Sequence, residues 1–202
     1  LGDNEADLSL AQTYGRGLSE LYGNEAGKAV VTFLRLRQQH PEVMAFHTAL
    51  GQAQLATGRT QDALETLEHA RVLAPRNVPV TVRYGEALMQ AGRAKRAHEV
   101  LLDLFNNVPP TQEQIRLTAM AANAAGDVAD AYSYMAEYHL MGGDLMLAIN
   151  QLELALSVPS ITDQQRAKFV ARLKEVREWL PKERNRSKQP PDGQAPDGKR
   201  SP

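Results

Sequence analysis

Residues 44–77 read MAFHTALGQAQLATGRTQDALETLEHARVLAPRN, with Leu50-Gly51, Gly58, Ala63, Leu67, Ala70 and Pro75 at fixed places along the stretch. The same places recur up and down the chain. Pro41, Pro75 and Pro109 are 34 residues apart, as are Gly17, Gly51 and Gly85, then Gly58, Gly92 and Gly126, and then Ala29, Ala63, Ala97 and Ala131. A fixed period in the range of about 20 to 50 residues decides an architecture before any other feature does. Each position has a packing reason. Gly51 and Ala63 are small, which lets two helices of a hairpin approach closely, and Gly58 ends the first helix in a left-handed cap. Pro75 stops the second helix, because it lacks an amide hydrogen and its ring clashes with the preceding turn.

A 34-residue unit with Gly at the eighth and fifteenth positions, Ala at the twentieth and Pro at the thirty-second resembles a tetratricopeptide repeat. The expected fold is therefore all-α, an α-solenoid of about ten antiparallel helices with a C-terminal capping helix. The units run at about 10–43, 44–77, 78–111, 112–142 and 143–160, followed by a cap helix at 162–180. Unit 78–111 repeats the pattern with Tyr84-Gly85, Gly92, Ala97, Leu101 and Pro109. The first unit keeps Gly17, Ala29, Phe33 and Pro41 but has Asn24 at the turn, so a rebuilt turn is expected there.

The fourth unit opens on the capping-box pattern Thr111-Gln112-Glu113-Gln114 and keeps Gly126 and Ala131. Gly-then-Ala then recurs after half a period, at Gly143 and Ala148. A helix from about Asp130 to Met141 would close one hairpin and open the next, stepping the stack by one helix. A second capping box, Thr162 to Gln165, opens a last helix to about Leu180. Its Phe169, Leu173, Val176 and Leu180 form one apolar face, as a solvating cap requires.

Residues 182–202 hold six Lys or Arg, three acids and four Pro, with no apolar residue larger than Ala195 apart from proline. Such a segment buries too little surface to offset its ordering entropy, so it reads as a disordered basic tail. The whole chain carries a net charge of −1. Removing the tail leaves a mildly acidic helical body. No global field draws this chain to nucleic acid, and no window is apolar enough to span a membrane. The absence of cysteine excludes disulfides and thiol chemistry. The start at Leu1 rather than Met is expected of a piece of something longer.

No catalytic set emerges. His98-Glu99-Val100-Leu101-Leu102 begins like the zinc protease motif, but Leu102 stands where the second histidine must share the metal. His98 is accordingly expected at the surface. His40, His47, His69 and His139 are scattered along the array without an i, i+4 pair, so no metal ligand and no cofactor is expected in this chain.

Stacks of this pattern bind proteins or peptides along the first helices of successive hairpins. By the family pattern the groove residues are Tyr14, Leu18, Leu21 and Tyr22, then Thr48, Gln52 and Leu55, then Val82, Glu86, Met89 and Gln90. Arg116, Met120 and Asn123 come next, with Glu137, Leu140 and Met141 in the half-step. Three methionines along the groove suit irregular apolar partners or fill gaps between helices. Tyr14 and Leu18 do not match the Lys and Asn of carboxylate-clamp cochaperones, which disfavours that class.

Beyond the period, residues 76–85, 101–109 and above all 130–145 resemble the carboxyl-terminal repeat domain of periplasmic zinc metalloproteases of the β-barrel assembly-enhancing type. The resemblance covers roughly Tyr14 to Pro181. It implies a periplasmic location in a Gram-negative bacterium and zinc in a parent protease domain. It also implies partners among that domain, the β-barrel assembly machinery and outer-membrane protein substrates. No zinc ligand carries over to any residue here. The alternative is a stand-alone scaffold or cochaperone without a protease domain.

Overall fold

The computed structural model describes residues 9–180, and the basic tail expected at 182–202 lies outside the described residues. Ten helices succeed one another among the described residues: α1 Leu10–Tyr22, α2 Ala26–Gln39, α3 Met44–Ala56, α4 Thr60–Leu73, α5 Val78–Gln90, α6 Ala94–Phe105, α7 Gln112–Ala125, α8 Val128–Met141, α9 Leu145–Ser157 and α10 Asp163–Trp179. Each packs on the next in sequence.

The local chemistry sets the helix ends. Thr111 and Thr162 open α7 and α10 with reciprocal capping boxes, using Gln114 and Gln165, and Ser9 does the same for α1 with Gln12. Gly58 adopts φ 75° in the turn between α3 and α4, which an L side chain adopts only at a cost of about 1–2 kcal/mol. The first turn departs from expectation. Asn24 itself takes φ 64°, so the turn is kept with a residue type that tolerates the left-handed region, and it is not rebuilt.

Close packing results from the small residues. Ala29, Ala63 and Ala97 are fully buried. A Cβ on Gly51 would lie 2.6 Å from Leu67 Cγ, so α3 and α4 meet at a distance only glycine allows. Large side chains then fill the spaces between hairpins: Leu50, Phe33 and Phe46 around α1 to α3, and Leu64, Leu67, Leu88 and Leu101 around α4 to α6. Each such buried side chain contributes about 1.5–3 kcal/mol.

The first helices of the hairpins also touch one another, α1 with α3, α3 with α5 and α5 with α7. There the row breaks. α7 does not reach α9, whereas α8 touches α10. From α8 onward the helix that closed one hairpin serves as the first helix of the next, and the turn between α8 and α9 carries Gly143 at φ 81°, as Gly126 at φ 92° does between α7 and α8. α10 is tied to α8 by two contacts in register, Gln165 Nε2 donating to Asp130 at 3.0 Å and Arg172 gripping both oxygens of Glu137 at 2.7 Å. Its Phe169, Leu173 and Val176 are buried.

Candidate protein-binding groove

The row α1, α3, α5 and the start of α7 encloses an open groove of about 800 Å³. Tyr14, Leu18 and Tyr22 line it from α1, Met44, Ala45, Thr48, Ala49 and Gln52 from α3, and Val78, Pro79, Val82, Arg83 and Glu86 from α5. Asn77, Thr111, Glu113 and Gln114 close its far end. The side chains recur every four residues on each helix because that spacing keeps them on one face.

Tyr14 anchors the near end, its ring 5.7 Å from Phe33 and 5.5 Å from Phe46. Burial, and then the proximity of Tyr22, raises its phenol above the ordinary tyrosine value. Tyr22 stands 72% exposed, with Gln52 Nε2 donating to its hydroxyl at 3.5 Å. Thr48 Oγ1 donates back to the Met44 carbonyl at 2.9 Å. The charges are matched locally. Arg83 pairs with Glu86 at 2.7 Å, and Arg116 with Glu113 at 2.8 Å. The groove therefore presents an apolar floor with polar, charge-balanced edges.

Of the groove residues expected from sequence, Tyr14, Leu18, Tyr22, Thr48, Gln52, Val82 and Glu86 share this cavity. Arg116, Met120, Asn123 and Gln90 are exposed but do not line it. Met89 and Leu55 pack against the α4 to α6 core, Leu140 packs against that of α8 to α10, and Leu21 is itself buried. Glu137 and Met141 are the clearest correction. They open onto a separate cavity with Leu102 and Phe105 of α6, because α8 succeeds α7 as the outer helix of its hairpin before it opens the next one. Ala45 and Pro79 are groove residues missing from the set expected from sequence. Both occupy the second position of the repeat, three residues before Thr48 and Val82 on the same helices.

His98 is not a surface residue. It is 7% exposed, Nδ1 donates to Asp127 at 3.0 Å, and Nε2 and the Tyr134 hydroxyl share a hydrogen bond at 3.3 Å. Both ring nitrogens are thus spent on holding α6 to the turn and first half of α8. Burial, then Asp130 and Asp127, push the Tyr134 phenol up to about 12. His47 and His69, on α3 and α4 of one hairpin, stack with ring centroids 6.0 Å apart. His47 Nε2 donates to the Pro41 carbonyl at 2.8 Å, leaving a buried Nδ1 without a partner. Burial lowers its pKa below the ordinary histidine value, and Arg37 and His69 act in the same direction. Among the described residues no group of three His, Asp or Glu could hold a metal ion, and no helix is long and apolar enough to cross a membrane.

A tetratricopeptide repeat family model matches residues 55–121. Among solved structures, a thermophilic TPR protein of Thermus thermophilus is 19% identical with a TM-score of 0.54, covering 82% of this chain and 100% of its own. MamA of Desulfovibrio magneticus RS-1, residues 41 to the end, is 14% identical with a TM-score of 0.61, covering 84% and 95%. The chain folds as a tetratricopeptide repeat solenoid. No curated protein matches it. Repeat solenoids of this kind present an extended concave surface, and the groove across α1, α3 and α5 lies along the row of first helices.

Proposed function

We propose that this chain is the partner-docking module of a periplasmic zinc metalloprotease of the β-barrel assembly-enhancing type, serving quality control of outer-membrane protein assembly. The groove across α1, α3 and α5 takes the partner or substrate segment. The observation that carries the binding role is the convergence of Tyr14, Leu18, Tyr22, Thr48, Gln52, Val82 and Glu86 on one cavity. What supports the protease association is the resemblance of residues 76–85, 101–109 and 130–145 to that family's repeat domain.

Zinc does not fit the described residues. Leu102 occupies the place of the second histidine, and the two nitrogens of His98 are engaged by Asp127 and Tyr134. On this reading metal chemistry belongs to the parent protease domain, and this chain contributes partner binding.

The test is binding of purified outer-membrane assembly factors and of the protease domain to the full chain, to Tyr22→Ala and Gln52→Ala, and to a chain ending at Pro181. Loss of a groove contact is expected to weaken binding by about tenfold, the cost of one interface residue worth roughly 1.4 kcal/mol. Truncation at Pro181 leaves binding unchanged. Binding lost on truncation but kept in the groove variants overturns the assignment. A stand-alone scaffold or cochaperone, the alternative, shows no affinity for a zinc protease domain.

A further inference from the structure

A second cavity, of about 300 Å³, opens on the outer side of the stack where the half-step begins. Leu102 and Phe105 of α6 form one wall and Tyr134, Glu137 and Met141 of α8 the other, over a floor that includes Ile115. The lips are apolar and open to solvent. Leu102 is 39% and Met141 54% exposed. Inside, both hydroxyls are already bonded: Thr118 Oγ1 donates to the Gln114 carbonyl at 2.9 Å, and the Tyr134 hydroxyl shares a hydrogen bond with His98. Most of the lining is apolar side chain, so the buried part of an occupant must be apolar. The volume lies at the small end of the range of about 300–1,000 Å³ for ligand pockets, which suits an anchoring side chain.

The charged residue of the lining is an acid. Glu137 lines the cavity, and its partner Arg172 is shared with Glu175 at 2.7 Å, so two carboxylates stand against one guanidinium. Asp103, exposed, follows Leu102 in sequence. A cationic partner answers this charge distribution, and an acidic one is repelled.

We propose that this outer cavity is a docking site for a cationic amphipathic segment of a partner protein. One large apolar side chain, of the size of Phe, Leu or Met, sits between Leu102, Phe105 and Met141, and flanking Lys or Arg residues lie over Asp103 and Glu137. The site is independent of the groove. Its walls are α6 and α8, whereas those of the groove are α1, α3 and α5, so both can be occupied together.

The experiment uses the full chain with labelled Met methyl groups and three synthetic peptides of about ten residues. The first has a Phe-Leu centre flanked by Lys and Arg, the second has the same centre flanked by Glu, and the third has the basic flanks around Ala. The first peptide shifts the Met141 methyl saturably and leaves those of Met44 and Met89 unmoved. Affinity falls by about tenfold or more for the Glu-flanked and the Ala-centred peptides, the scale of a lost charge match or a lost anchor. Leu102→Lys and Asp103→Lys weaken it by about tenfold and about threefold, with melting temperatures near that of the parent, since both residues are exposed. Tyr22→Ala leaves it unchanged. A shift at Met44 in place of Met141, equal affinity whatever the flanking charge, indifference to Leu102→Lys, or no saturable shift with any peptide would each overturn the proposal.

Discussion

Gly51→Ala tests the close approach on which each hairpin depends. The added Cβ would lie 2.6 Å from Leu67 Cγ and 2.8 Å from both of its Cδ atoms. Carbon atoms in contact settle at about 3.5–4.0 Å, so Leu67 must retreat by about 1 Å. It is fully buried, and its neighbours Ala63 and Ala70 are fully buried too, so the strain passes into the α3–α4 packing. Overpacking of this kind costs about 1–3 kcal/mol. Against it stands the helix propensity of alanine over glycine, about 1 kcal/mol. The expected net loss is up to about 2 kcal/mol.

Gly85→Ala is the internal control, because it sits one period on and faces Leu101 at 3.0 to 3.3 Å. Only a few tenths of an ångström are needed there, and the propensity gain roughly offsets the strain, giving a change within about 0.5 kcal/mol of zero. Urea unfolding monitored by far-ultraviolet circular dichroism ranks the two. Amide exchange in α3 and α4 localises the effect, since a solenoid need not unfold in one step. In the double variant Gly51→Ala with Leu67→Ala the losses should fall short of additive, because the space vacated by Leu67 accommodates the new methyl group. Gly51→Ala as stable as Gly85→Ala, or additive losses in the double variant, would refute the close-approach argument.

Two single contacts give further expected outcomes. His47 is buried neutral with a lowered pKa, so the folded state resists its protonation. The stability it preserves is complete above the ordinary value of 6.5 and falls as pH drops through that value towards the lower folded one. Melting temperatures between about pH 7.5 and pH 5 should fall more steeply in the parent than in His47→Gln, and equal slopes would remove His47 from the account. Arg172 grips Glu137 with two bonds and lies 5.2 Å over the Trp179 ring. Glu137→Gln should cost about 1 kcal/mol or less at this half-exposed site, diminish further at high salt, and change Trp179 fluorescence as α10 loosens. An unchanged emission spectrum at low salt would show that α10 is held by its apolar face alone.

The periodic residues made the hairpins legible because each acts locally. Gly58 supplies a left-handed turn, Pro75 a stop, and Thr111 and Thr162 open helices through side chains three residues away. The half-step was legible for the same reason, since Gly143 repeats the turn chemistry of Gly126. Half-exposed groove positions on α1, α3 and α5 emerged from the register of the repeat. Asn24 was less legible, because a single asparagine can replace glycine in a left-handed turn without disturbing the helix after it.

Composition and spacing are thus enough for the all-helical solenoid, since its helices depend on neighbours within a turn or one hairpin. Which side chains share a surface depends on the rows in which helices stack. His98 is buried only because Asp127 and Tyr134, 29 and 36 residues on, close over it. Glu137 and Met141 leave the groove because the half-step hands α8 from one hairpin to the next and turns its stripe towards α6. Periodicity along the chain specifies each helix face, whereas the direction that face looks is set by packing against helices far away in sequence.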